Sequence, residues 1–91
     1  MQDFFKENKK YLQTKLGDLI KKERLKTNKS ISLLSAEIGL TKSILADTEK
    51  GIKDPQLSTL WRLAQGLNVP LSDLIEELEK ELGKHFSLIE Q

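Results

Sequence analysis

The stretch Leu34–Gly51, LSAEIGLTKSILADTEKG, decides the fold of this chain. Leu34 and Ile38 fall on one helical face, Gly39 suits a left-handed helix end, Thr41 can cap a new helix, and Leu45 returns to the interior. Gly51 then stops the second helix. The spacing predicts two short helices joined by little more than Gly39 and Leu40, a turn short enough to fix their crossing angle. Lys42, Ser43, Ala46, Asp47 and Lys50 are left on the outward side of the second helix.

Outward from that stretch the chain reads as all-α. Leu16, Leu19, Ile20 and Leu25 give an earlier apolar stripe, with Thr14 expected as its N-cap and Asn28 as its left-handed terminator. Ser30 caps Ile31 to Ile38, and Thr41 caps Lys42 to Lys50. Pro55 keeps Asp54 out of helical geometry, so Ile52 to Gln56 is a loop. Leu57, Leu60, Trp61, Leu63, Ala64 and Leu67 mark a fourth helix, with Trp61 read as core, and Asn68 ends it. Pro70 opens a fifth, whose Leu71, Leu74, Ile75, Leu78 and Leu82 recur until Gly83. Phe4, Phe5, Tyr11 and Leu12 leave an extra N-terminal helix open. The expected domains are a basic extension at 1–13, a helical body at 14–75, and a helix-five extension with an acidic tail at 76–91, where Phe86, Leu88 and Ile89 fold back on the core or on a partner.

Composition narrows the function. At 91 residues the chain holds a single compact body. Without cysteine it has neither disulfides nor thiolate metal ligands, and one histidine, His85, builds no metal cluster or triad; no metal, cofactor or enzymatic activity is expected. No apolar run approaches the roughly 20 residues of a membrane span, Met1 to Lys15 does not read as a signal peptide, and the cytoplasm is the expected compartment. The net charge of +1 conceals a gradient: residues 1–29 carry +5, residues 30–70 are balanced, and residues 71–91 carry −4. A basic front and an acidic rear suit a molecule that turns one side towards phosphate.

Two short helices in this arrangement form a helix-turn-helix, whose second helix reads base edges in duplex DNA. The chain from Leu16 to Ile75 resembles the phage-repressor, or Cro/Xre-type, helix-turn-helix family in Arg24, Ser30, Leu34, Gly39, the Thr41-Lys42-Ser43 helix start, Glu49-x-Gly51, Pro55-x-Leu57 and LAQGLNVPLSDLI. The resemblance implies a compact five-helix bundle of the lambda-repressor-like type that binds double-stranded DNA as a transcriptional regulator, a repressor above all. It implies a structural ion pair between Arg24 and Glu49, base contacts from Lys42, Ser43, Asp47 and neighbouring Ala46, and phosphate contacts from Ser30, Ser32, Thr41, Lys50, Lys53 and Gln56, with backbone amides near Gln56 and Leu57. The chain departs from the family pattern where Ile31 replaces a common phosphate-binding glutamine, and where Thr48 replaces a larger apolar residue.

Rival readings stand beside these. The same helices can serve as a scaffold for protein contacts, in the manner of an antitoxin or co-regulator, with little DNA binding. Leu71, Ile75, Leu78 and Leu82 approximate a heptad seam that could pair two copies about a twofold axis, or the same leucines can simply close the core. Glu76, Glu77, Glu79 and Glu81 read as a solvated face rather than an acid cluster, and His85 as a residue beside a helix end.

Overall fold

The computed structural model describes residues 2–90. Five helices follow one another: α1 (Gln2–Lys26), α2 (Ile31–Ile38), α3 (Lys42–Glu49), α4 (Leu57–Gly66) and α5 (Leu71–Leu82). The caps are where the side chains call for them. Ser30 accepts a hydrogen bond from the Leu33 amide at 3.0 Å and Thr41 from the Ile44 amide at 3.1 Å. Between α2 and α3, Gly39 sits at φ 74° and sends its amide to the Ser35 carbonyl, a left-handed position that costs other residues strain. Asn28 and Asn68 take the same region at φ 59° each and end α1 and α4.

The helix boundary expected at Thr14 is absent. α1 runs through that position unbroken for 25 residues, because nothing between Leu12 and Leu16 interrupts a helix and a capping threonine acts only where the preceding chain has left it. Residues 2–13 are therefore helical, as the front half of α1 and not as a separate extra helix. At 1.5 Å per residue α1 is about 38 Å long, close to the 41 Å long axis of the molecule. The radius of gyration, 13.3 Å, exceeds the roughly 12 Å of an evenly packed chain of this length, since that front half projects from the body. It is braced there by the C-terminal tail: Tyr11 and Phe86 meet with ring centroids 6.2 Å apart, and the Asn8 amide donates to the Ser87 carbonyl at 2.8 Å. The tail folds back on α1, while Ile89 stays exposed.

The core joins all five helices through Leu16, Leu19, Ile20, Leu34, Leu45, Leu63, Leu67, Leu74 and Leu78. Three sequence expectations are corrected here. Trp61 is 54 % exposed rather than core: Leu60, Leu63, Ala64 and Leu67 form the inward stripe of α4, and Trp61 lies about 100° round the helix from Leu60. Leu25 is likewise exposed. Leu78 is buried inside its own chain, against the seam that included it, because Leu74 and Leu78 form the inward row of α5. Leu71 and Leu82 border that row, and Ile75 is half-buried beyond it.

Candidate nucleic-acid interface

α3 is held from behind. Leu45 and Thr48 are buried, and Thr48 donates its hydroxyl to the Ile44 carbonyl at 2.8 Å, so the polar residue that replaces a larger apolar one is satisfied within its helix. At the far end Glu49 is gripped by Arg24 from α1. Arg24 Nε donates to Glu49 Oε2 at 2.6 Å and Nη2 to Oε1 at 2.9 Å, a two-point fork–fork pair, while Nη1 donates to the Lys29 carbonyl at 3.0 Å. Both side chains are buried. The hydrogen bonds to Glu49 hold the guanidinium above its ordinary pKa, against the burial that opposes its charge.

Where Arg24 grips, α1 must also come close. A Cβ on Gly17 would collide with the backbone carbonyls of Thr48 and Glu49, so the absence of a side chain there lets α1 and α3 touch backbone to backbone. Composition and periodicity did not signal this contact; the position i−7 from Arg24 on the same helical stripe could have.

The outward side of α3 carries the residues that the sequence placed there. Thr41, Lys42, Ser43 and Lys50 are exposed, Ala46 and Asp47 are half-exposed on the same side, and Ile44 is half-buried. The charge of this face differs from that of the helix as a whole: Glu49 is consumed by Arg24, leaving Lys42 and Lys50 against Asp47. At the start of α2, Ser30 and Ser32 are exposed and Ile31 half-buried, with the Ser30 hydroxyl already engaged by its own helix. Lys53 and Gln56 are exposed on the loop that follows α3, and Gln56 makes no side-chain cap on α4.

That loop is fastened by contacts the sequence reading missed. Lys10 Nζ and Gln13 Nε2 both donate to the Gly51 carbonyl, at 3.3 and 3.1 Å, and Lys9 Nζ lies 3.6 Å from Asp54. On the opposite flank Lys29 reaches Glu37 at 2.8 Å and the Gly66 carbonyl at 3.0 Å, tying α2 to α4. Among the described residues no group of His, Cys, Asp and Glu is placed to hold a metal ion, and no helix is long and apolar enough to cross a membrane.

Comparison with known proteins places this geometry. A family model described as helix-turn-helix matches residues 20–74. The HTH-type transcriptional regulator SutR of Escherichia coli (strain K12) is 37 % identical over 60 residues, which are 66 % of this chain and 34 % of SutR; the chain thus spans about a third of that relative's length. The control protein C.MunI of Mycoplasma sp is 31 % identical over 71 residues, 77 % of this chain and 96 % of C.MunI. Among solved structures, a mutant of the restriction-modification controller protein C.Esp1396I superposes with a TM-score of 0.74 at 27 % identity, covering 82 % of this chain and 95 % of that one. A transcriptional regulator from Vibrio cholerae shares the fold at a TM-score of 0.70 and 23 % identity, over 76 % of this chain and 39 % of its own.

Proposed function

The chain belongs to the helix-turn-helix family, and from that premise we propose that it is a DNA-binding transcriptional regulator that represses transcription by laying α3 in the major groove of a specific site and occluding a promoter. The observation that carries this is the outward face of α3: Lys42, Ser43, Ala46 and Asp47 project from a helix pinned at its rear by Arg24 and joined to α2 through a glycine turn. In this reading Lys42 donates to guanine O6 and N7, Ser43 donates or accepts, Asp47 accepts from cytosine N4, and Ala46 meets a thymine methyl. Ser30, Ser32, Thr41, Lys50, Lys53 and Gln56 fix the register on phosphate. The role is binding without catalysis, in the cytoplasm where the DNA is. The match to C.MunI, a control protein, over 96 % of its length supports this regulatory reading.

A homodimer is part of this proposal. Exposed Leu57 and Trp61 share one side of α4, Trp61 and Leu71 line a common groove between α4 and α5, and Ile75 and Leu82 continue the Leu71 side of α5 without Leu78, an apolar surface that a second copy would cover. Two copies would present their α3 helices to half-sites about one DNA turn apart. That apolar face also favours the rival reading, a scaffold for a different protein.

Fluorescence anisotropy on random-sequence duplex DNA across a salt series separates them. DNA binding predicts that log affinity falls linearly with log salt, and that Lys42→Ala weakens binding with helicity intact. No binding at low salt would refute the proposal and leave the protein-contact scaffold.

A further inference from the structure

The front half of α1 lies outside the region that the family model matches, which begins at residue 20. It is nonetheless built into the body. Arg24, Ile20, Gly17, Gln13, Lys10 and Lys6 fall at intervals of three and four residues and so form one stripe along α1. The rear of that stripe holds α3 through Arg24 and Gly17, and its middle holds the loop after α3 through Gln13 and Lys10. Lys6 lies about 6 Å further along the helix axis, past the last of these contacts, and is exposed. Lys9, beside the same stripe, faces Asp54.

The result is a row of cations that runs from the loop after α3 onto α1: Lys50 and Lys53 from the loop and its approach, Lys9 and Lys10 beside it, and Lys6 one helical turn further out. Asp54 opposes them and is held by Lys9 at 3.6 Å; Asp3, three residues before Lys6, continues the stripe beyond the lysines, while Glu7 lies to one side of it. An exposed pair of this kind contributes little, and Lys9 can exchange Asp54 for a phosphate at small cost. The brace of Tyr11 on Phe86 and Asn8 on Ser87 keeps this half of α1 in place, so the lysines form a fixed ridge instead of a loose arm.

We propose that Lys6, Lys9 and Lys10 form a second phosphate-binding ridge that grips the DNA backbone alongside the loop after α3, lengthening the footprint beyond that of the family's matched region. The inference rests on the proposed DNA binding through α3. The ridge carries no base specificity and supplies affinity through counterion release.

The test is the salt series on random-sequence duplex DNA with the full chain and three variants: Lys6→Gln, the triple Lys6→Gln/Lys9→Gln/Lys10→Gln, and a control at the acidic end, Lys80→Gln/Lys84→Gln. Each phosphate contact contributes about 0.9 to the slope of log affinity on log salt. The single variant should lose about one unit of slope and the triple between two and three, with helical circular dichroism retained in both, the melting temperature of Lys6→Gln unchanged and the control like the parent. Lys6→Gln separates direct charge from loop positioning, since the loop is held by Lys10 and Gln13. Parental slope and affinity in the well-folded triple, with Lys42→Ala still weakened on the same DNA, would overturn the ridge alone. No binding by the parent would overturn the ridge and the α3 reading together.

Discussion

Removing the Arg24 side chain should unfold the protein before it alters what the protein reads. Arg24→Ala deletes two hydrogen bonds to Glu49 and one to the Lys29 carbonyl, and strands a carboxylate that is only 8 % exposed. Breaking one side of a buried pair costs about 3–5 kcal/mol. With an unfolding entropy near 2.1 cal/mol/K per residue, a chain of 91 residues gives roughly 190 cal/mol/K, so the melting temperature should fall by roughly 16–26 °C. Such a loss is a large part of the stability of a small domain, about 5–15 kcal/mol. The sign of the pH effect follows from the raised pKa of Arg24: its stabilising contribution is fully present below the ordinary arginine value and is lost only as pH climbs through the higher folded one. The deficit should therefore be constant across the neutral range. Thermal melts followed by circular dichroism, with Arg24→Lys and Arg24→Met/Glu49→Leu alongside, give the measurement. Lysine keeps the charge without the fork and should fall between parent and Arg24→Ala, and the double apolar variant should recover most of the loss. An Arg24→Ala protein melting within about 5 °C of the parent, on the same entropy scale, would refute the reasoning.

Gly17→Ala should destabilise by about 1–3 kcal/mol through overpacking, read as a lower melting temperature, because its methyl would meet backbone carbonyls that cannot swing aside. Lys42→Ala should leave the melt unchanged and weaken binding at a site with guanine at the contacted step by about 1–3 kcal/mol, measured by anisotropy on matched and mismatched duplexes. Trp61, half in solvent, should emit at long wavelength in dilute protein and shift to the blue as concentration rises and a second copy covers it; Ile75→Asp should abolish the shift, and a spectrum independent of concentration would exclude this face as the interface.

Short-range signals carried much of the architecture. Ser30, Gly39, Thr41 and Asn28 each act on a helix end within a few residues of themselves, and each stands where its chemistry demands. Long-range packing was less legible. Thr14 has the chemistry of a cap, yet whether it caps depends on the chain before it, and the support that keeps residues 2–13 helical and docked comes from Phe86 and Ser87, more than seventy positions away in the sequence. Trp61 shows the limit of reading apolar character as burial: Ala64, the smaller residue, takes the inward place and the tryptophan remains at the surface. On the candidate site, the outward set on α3 followed from helical periodicity, whereas Lys9, Lys10 and Gln13 needed the three-dimensional course of α1 to be seen beside the loop.

The division of charge bears on how such a small protein could bind tightly. With Glu49 engaged by Arg24, the outward face of α3 has two lysines and one aspartate, which suits the proposed base contacts but offers little to attract a polyanion. The cations lie instead around the end of α3 and along the front of α1, whose other side is covered by the C-terminal tail through Tyr11–Phe86 and Asn8–Ser87. Specificity and affinity would then reside on different surfaces. Substitutions on α3 should change which sequence is preferred with little change in salt slope, and substitutions on the ridge should lower the slope equally for every sequence. A single variant on either surface that changed preference and slope together, with the fold intact, would show that the two surfaces act as one and would remove the basis for this division.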